Sequence, residues 1–188
     1  MKRGSTMIVP PEGLTVPIGR RDHIQGPPNA PMTLLEYGDF ECPFCSQVHP
    51  IIQAVQERLD ENRCFAYRHF PLANAHPHAQ RAAEAAEAAG AQGKFWEMHD
   101  LLFENQDALE DEDLVEYATA LRLDVERFVR ELEAGVHAGR VREDFKSGVR
   151  SGVNGTPTLF INGARYDGAR DVDSLLAALT NQPAAWSE

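Results

Sequence analysis

The chain has three cysteines, and two of them, Cys42 and Cys45, are separated by only two residues. Two thiols at this spacing can exchange disulfides, because the second sulfur reaches a mixed disulfide formed on the first. The same spacing begins many zinc sites, but those need a second cysteine pair or a matched histidine pair. No second pair exists, and His76 and His78 have no evident cysteine or carboxylate partner. The pair therefore favours redox chemistry without a metal or an organic cofactor.

The pair lies between a predicted strand and a predicted helix. Residues 32–37 read as a short buried strand, and apolar residues recur at helical spacing from Pro43 to about residue 60. Pro43 suits the first helical turn, where its missing N–H does little harm. At such a helix start, free backbone N–H groups and the helix dipole lower the pKa of a thiol. This placement favours a reactive thiolate.

The remaining elements follow the order strand, helical block, strand, hairpin, strand and helix. A second strand is predicted over 64–70, a third over 156–161, and a hairpin turn at Asn162-Gly163. The predicted features of the helical segments are the following: helices over 78–91 and 94–104, caps at Asp111 or Asp113, at Asp124 and at Asp171, and an apolar stripe of Val141, Phe145 and Val149.

Charge and hydropathy exclude several classes of partner. The 18 basic and 29 acidic residues give a net charge of −11, which repels nucleic acid and anionic lipid. No apolar run approaches the roughly 20 residues that span a bilayer, so no membrane insertion is expected. The amino terminus lacks the continuous apolar segment of a secretory signal. We therefore expect a cytoplasmic protein, or an exported one whose signal has been removed.

Four segments resemble the DsbA-like branch of the thioredoxin superfamily, and particularly the cytoplasmic or antiporter-appended thioredoxin-like domains of bacteria. They are residues 21–27, 36–45, 68–72 and 155–163. The resemblance implies an α/β, thioredoxin-like fold with a helical insertion. The chain is divided as follows: an extended arm over 1–31 that can add a strand or pack on the surface, a core over 32–75 and 152–180, an inserted helical domain over 76–151, and a flexible tail over 181–188.

The resemblance also implies roles for site residues. Cys42 would attack a disulfide or be attacked, and Cys45 would resolve the mixed disulfide. Glu36 matches a buried acid that passes a proton to or from Cys45, although a strand-edge glutamate facing water remains an alternative. Pro157 matches a cis-proline packed against the cysteine loop. The backbone of Thr156 would then pair with a substrate strand.

Phe44 departs from the family pattern, because DsbA has histidine at this spacer position. Phenylalanine supplies no charge, so we expect the pKa of Cys42 to be lowered less and the pair to be a weaker oxidant. Phe44 would instead offer an apolar contact to an unfolded substrate. The spacer is compatible with oxidation, reduction and isomerisation alike.

Other residues have less specific interpretations. Cys64 fits a buried free cysteine better than a third redox partner. His49, one turn beyond Cys45, could influence the site, but packing or solvation is the commoner role. We interpret His69 as a residue with a structural role. Three aromatic residues favour helical core packing, with a peptide groove as the alternative: Phe95, Trp96 and Phe103.

The sequence thus predicts a thiol-disulfide oxidoreductase acting on thiol- or disulfide-containing proteins or peptides. Glutathione or a thioredoxin-type protein is the expected redox partner. One alternative is a redox-sensing or polypeptide-binding module that does not turn over. Another, glutathione-linked transfer, is suggested by the broader fold and by no particular residue, and fold alone does not fix function.

Overall fold

The strand that leads to the cysteine pair lies at the centre of the sheet. The computed structural model describes residues 13–59 and 62–181. Five strands form one sheet, in the order β1-β3-β2-β4-β5. The strands are β1 (His23–Gln25), β2 (Met32–Gly38), β3 (Arg63–His69), β4 (Thr158–Ile161) and β5 (Ala164–Tyr166). Strand β2 runs parallel to β3 and antiparallel to β4, so its backbone is hydrogen-bonded along both edges.

Seven α-helices lie within the described residues, and five of them form a block between β3 and β4. Helix α1 (Pro43–Leu59) follows β2, and α7 (Val172–Asn181) follows the hairpin. The helices of the block are α2 (Ala79–Gly90), α3 (Phe95–Glu104), α4 (Asp111–Ala120), α5 (Val125–Glu133) and α6 (Ala138–Arg150). None of the helices in 13–59 and 62–181 is both long and apolar enough to cross a bilayer.

Alternating side chains of β2 enter two separate cores. Leu34 belongs to the larger cluster, which also contains apolar residues of α1, of α7 and of the helical block. Leu35 and Tyr37 belong to a smaller cluster on the other face, where Phe145 of α6 packs. Because successive strand residues point to opposite faces, Glu36 shares the face of Leu34, towards the cysteine-bearing helix.

The predicted elements are confirmed within a few residues. Asp124 accepts a hydrogen bond from the Arg127 N–H at 2.9 Å, and Asp171 accepts one from the Ser174 N–H at 2.9 Å. Both predicted caps are therefore present. The Asn162-Gly163 turn is also confirmed, with φ of 49° and 81°, the left-handed values that a two-residue hairpin turn requires.

Three predictions about the helices and strands are wrong. The residue that precedes α4 is Glu110, and Asp113 instead accepts from the Glu110 backbone N–H. Strand β4 begins at Thr158, because proline at the preceding position cannot donate to the ladder. Val149 is 54% exposed, so the apolar stripe of α6 ends one turn earlier. The N-terminal arm contributes the edge strand β1, which pairs with β3.

The division into a core and an inserted helical domain stays a prediction. One hydrophobic cluster contains Val48 and Ile52 of α1 together with Ala86 and Met98 of the helical block. The first 12 residues of the predicted arm lie outside the described residues. So does the predicted tail from residue 182 onward.

Helix α6 approaches the sheet closely where it carries Gly148. A Cβ atom there would lie 2.7 Å from a ring carbon of Phe70 and 3.1 Å from one of Tyr37. The neighbouring Ser147 hydroxyl lies 2.7 Å from the Tyr37 hydroxyl. The missing side chain therefore allows the helix to cover the smaller core.

We predict that Gly148→Ala lowers the free energy of unfolding by about 1–3 kcal/mol, because the added methyl group overpacks the core. Gly139→Ala is the matched control, since it lies in the same helix and an added Cβ would meet nothing within 4 Å. It should be neutral or stabilising by up to about 1 kcal/mol. Urea denaturation measures both, and equal effects would contradict the packing explanation.

Candidate active site

The two cysteines lie at the start of α1 and are almost fully buried. Cys42 is 3% exposed and Cys45 is 0% exposed, and both are thiols in this structure. The Cys42 N–H donates to the Asp39 carbonyl at 3.1 Å, and the Cys45 N–H donates to the Cys42 carbonyl at 3.0 Å. These turns hold the pair at the junction of β2 and α1. Of the two sulfurs, the one at position 42 lies nearer to solvent.

The surroundings of Cys42 favour its thiolate. The Cys42 thiolate is stabilised by hydrogen bonding to the Cys45 thiol, to the Thr156 side chain and to the backbone N–H groups of Cys45 and Phe44. Burial raises the pKa of Cys42, but these hydrogen bonds have the larger effect and lower it to about 5. Phe44 thus contributes through its backbone at the helix start. These groups favour the predicted thiolate, and the lowering of the pKa is large although residue 44 carries no charge.

The loop before β4 faces Cys42. The Thr156–Pro157 peptide bond is cis, as the resemblance implies, and Pro157 is buried. The Cys42 Sγ donates to the Thr156 carbonyl at 3.4 Å. The Thr156 hydroxyl is buried and has no partner within the described part of the chain, which leaves it available to donate to a thiolate. Arg170 secures the loop from outside by donating to the Pro157 carbonyl at 3.0 Å.

Glu36 lies buried in the same region. It is 2% exposed on the central strand β2, so the alternative of a water-facing glutamate at a sheet edge is wrong. Burial, together with the negative charge of Cys42, raises the pKa of Glu36 to about 8. Burial also raises the pKa of Cys45, helped by its hydrogen bond to Cys42 and by the charge of Glu36. Near neutral pH, the site therefore holds its negative charge on Cys42.

Asp39 and His76 form a part of the site that sequence analysis missed. One Asp39 carboxylate oxygen accepts from the Leu72 N–H at 2.8 Å and lies 2.7 Å from His76 Nδ1, and the other accepts from the Glu41 N–H at 2.9 Å. The expectation that His76 lacks a carboxylate partner is therefore wrong. An aspartate that follows a strand-ending glycine often bonds the backbone two residues on, and this signal could have indicated Asp39.

The helical block also holds the cysteine loop in place. Gln106, just after α3, donates from Nε2 to the Phe40 carbonyl at 2.7 Å and to the Cys42 carbonyl at 2.9 Å. The Glu41 carboxylate accepts from the His78 N–H at 2.6 Å. No sequence signal pointed to Gln106, because its role depends on a contact between segments more than sixty residues apart.

The other predicted residues lie apart from the sulfur chemistry or at its margin. Phe44 is 59% exposed beside Cys42. Cys64 is fully buried on β3 and unpaired, as expected for a small apolar residue. His69 lies 3.0 Å from the Glu87 carboxylate, in agreement with a structural role. Phe95 and Phe103 are buried in the helical core and Trp96 packs against it, so the interpretation as core residues holds.

Comparison with known protein families gives a match over most of the chain. Residues 20–181 match the family model described as thioredoxin. Among solved structures, a thioredoxin-like oxidoreductase from Silicibacter pomeroyi DSS-3 is 25% identical, with a TM-score of 0.76 over 86% of this chain and 92% of that one. Oxidised BdbD from Bacillus subtilis is 22% identical, with a TM-score of 0.77 and the same coverage.

Curated relatives are closer in sequence but much longer. The protein named Na(+)/H(+) antiporter NhaA 1 of Salinispora arenicola is 50% identical over 171 residues, which is 89% of this chain and 26% of that protein. The protein named NhaA 3 of Salinispora tropica is 45% identical over 95% of this chain and 28% of its own length. The chain thus spans about a quarter of the length of these relatives.

The shifted pKa values of Glu36 and Cys42 act on stability in opposite directions. Folding raises the pKa of Glu36 from 4.5 to about 8. Between those values the folded protein keeps a proton that the unfolded chain has released, so the free energy of unfolding falls as pH rises. Folding lowers the pKa of Cys42 from 9.0 to about 5, so over that range the free energy of unfolding rises with pH.

We predict that Glu36→Gln makes the reduced protein gain stability from pH 5 to 9, at up to about 1.4 kcal/mol per pH unit. Cys42→Ser should instead lose stability as pH rises from 4.5 to 8, and the unmodified protein should lie between the two. Urea denaturation with a phosphine reductant across this range measures the three profiles. Parallel profiles would show that the two groups do not oppose each other.

Proposed function

The chain belongs to the thioredoxin family and has the fold of its DsbA-like thiol-disulfide oxidoreductases, and we propose that it exchanges disulfides with protein or peptide substrates through Cys42 and Cys45. One observation carries this proposal. A sulfur with a pKa of about 5 lies hydrogen-bonded to a second, buried sulfur whose pKa is raised. Cys42 is therefore the nucleophile, and Cys45 remains a thiol until a mixed disulfide has formed.

In the proposed reaction one disulfide bond is transferred from the substrate to the Cys42–Cys45 pair. The Cys42 thiolate attacks one sulfur of a substrate disulfide, forms a mixed disulfide and releases the other sulfur as a thiolate, which takes a proton from solvent. The mixed disulfide removes the negative charge of Cys42, which had helped to raise the pKa of Glu36, so Glu36 releases its proton to solvent. Cys45 then loses its proton to the resulting Glu36 carboxylate and attacks Cys42. This second step releases the reduced substrate and leaves a Cys42–Cys45 disulfide. In the opposite direction the same steps oxidise a dithiol substrate, and Glu36 returns the proton to Cys45.

We propose that substrate binds along the loop of Thr156 and Pro157. The Thr156 carbonyl already accepts a hydrogen bond from Cys42 Sγ, so an extended substrate backbone beside it would place its own sulfur close to the nucleophile. Phe44 is the exposed apolar surface next to Cys42 and would contact the side chains flanking the substrate cysteine. Glutathione or a thioredoxin-type protein would restore the pair after turnover.

The direction of net transfer follows from the stability of the reduced pair. A thiol with a lower pKa stabilises the reduced form and makes its disulfide more oxidising. The pKa of Cys42, about 5, lies between the values of about 7 in thioredoxin and about 3.5 in DsbA. We therefore propose a reduction potential between those of the two proteins, which fits the absence of a charged residue at position 44.

Single cysteine variants test the proposal. Cys42→Ser should abolish reduction of a disulfide-containing peptide by the reduced protein, because Cys45 stays a thiol and no reactive thiolate remains. The Cys45→Ser variant should attack the peptide disulfide but should not resolve the mixed disulfide that forms. That mixed disulfide should accumulate and be visible by mass spectrometry. Cys64→Ala is the control and should keep full activity. Unchanged turnover in Cys42→Ser would contradict the assignment.

The exposure of Phe44 favours a second candidate function, binding of unfolded polypeptides without turnover. A Cys42→Ser and Cys45→Ser double variant should then still bind an unfolded, cysteine-free peptide in fluorescence anisotropy, and Phe44→Ala should weaken that binding. Val136→Ala provides a matched control, since Val136 is similarly exposed at 58%. If the intact protein turns over but the double variant binds no peptide, the second function is excluded.

A further inference from the structure

Two histidines and an aspartate meet between α1 and α3, and the proposed disulfide exchange uses none of the three. His49 is on α1, and His99 and Asp100 are consecutive on α3. Asp100 Oδ1 lies 2.9 Å from His99 Nδ1 and 3.6 Å from His49 Nε2. One ligand atom from each residue lies within 4.8 Å of the other two. These atoms are the donors that transition-metal ions prefer in proteins.

The imidazole of His49 carries a buried atom without a partner. His49 is 8% exposed, and its Nε2 forms no hydrogen bond with any described residue, although it points towards the Asp100 carboxylate. An unsatisfied buried polar atom costs free energy and needs an explanation. Packing alone does not provide one, because the ring stacks on Phe103 whether or not this nitrogen is satisfied.

The surroundings of the cluster suit a cation. Both imidazoles are buried, and a neutral imidazole offers a metal ion a lone pair. Asp100 supplies the negative charge, and its side chain is 38% exposed, which provides a path from solvent. The carboxylate of Glu104 lies close enough to affect His49 and adds negative potential at the same end of α3.

We propose that His49, His99 and Asp100 bind one divalent transition-metal ion of the zinc type. Tetrahedral zinc with ligand bonds of 2.0–2.1 Å separates neighbouring ligand atoms by about 3.3 Å, and the observed separations of 2.9 and 3.6 Å bracket that value. Water would complete the coordination on the exposed side of Asp100. Small side-chain adjustments are enough to form the site.

A second buried cluster of possible metal ligands is less suitable for a metal ion than the first. His69, Glu87 and Asp144 are also close together, but Arg140 forms an ion pair with Asp144 and lies 3.9 Å from Glu87. A fixed guanidinium therefore already occupies the position of a cation there. Among the described residues, no arginine or lysine forms an ion pair with Asp100 or with the imidazoles of His49 and His99.

The proposed ion would join the redox helix to the helical block. His49 is four residues beyond Cys45 on α1, and the other two ligands belong to α3, just before Gln106. The ion would use no thiol, so it is independent of disulfide exchange. This proposal departs from the expectation of no metal, which considered only the cysteine pair and the histidines at 76 and 78.

Zinc titration of the oxidised protein tests the proposal, because the Cys42–Cys45 disulfide removes the two thiols of the redox pair as competing ligands. Isothermal titration should show one Zn²⁺ per chain, and Co²⁺ should give the visible absorption of a tetrahedral site. Asp100→Asn preserves shape and the hydrogen bond to His99, and it should weaken zinc binding at least about tenfold. His49→Gln should do the same, with folding checked by circular dichroism.

His137→Gln is the matched control. His137 Nε2 lies 2.8 Å from the Glu131 carboxylate, which makes a histidine–carboxylate pair without a second imidazole. Its zinc affinity should equal that of the unmodified protein. The proposal is overturned if the unmodified protein shows no saturable binding, if Asp100→Asn and His49→Gln bind as tightly as it does, or if His137→Gln loses as much affinity as they do.

Discussion

Three ionisable acids share one small buried region, and that region accommodates a single negative charge. Cys42, Cys45 and Glu36 are each at most 3% exposed. Charge on one raises the pKa of the others, so the three titrate as a coupled set. Hydrogen bonds to Cys42 place the charge there, which leaves Cys45 as a thiol and Glu36 protonated near neutral pH. Stepwise exchange depends on this order of ionisation.

The fold can be understood as the means of holding that charge in place. The central strand β2 buries Glu36, and the start of α1 directs backbone N–H groups at Cys42. The loop of Thr156 and Pro157 closes the site from one side. On the other side Gln106 fixes the carbonyls of the cysteine loop. The helical block is therefore part of the active site's support, although it contributes no group to the sulfur chemistry.

Much of this arrangement is predictable because it is local in sequence. A buried strand followed directly by Cys42 and a proline-initiated helix predicts a thiolate at a helix start, and the Asn162-Gly163 turn predicts the hairpin. Gln106 and His76 escaped prediction, because a side chain that reaches a distant loop leaves no periodic signal. The position of the edge strand β1 within the arm was not predictable, since its three residues pair with β3 through backbone atoms and show no pattern of their own.

The size of the Cys42 pKa shift depends on more than the residue at position 44. The prediction considered the residue at position 44, where phenylalanine supplies no charge. In the structure the thiolate is stabilised mainly by its neighbour Cys45 and by groups around it, including Thr156, which is more than a hundred residues away. A spacer residue is only one of several influences on the pKa, and the others depend on tertiary structure.

A direct titration of the Cys42 thiolate tests this account most simply. The far-ultraviolet absorbance of the reduced protein, compared with that of Cys42→Ser, reports the ionisation of this one sulfur as a function of pH. The account predicts that one thiolate forms with a midpoint near pH 5 while Cys45 stays protonated well above neutral pH. A midpoint near 9, or two sulfurs that ionise together, would contradict it.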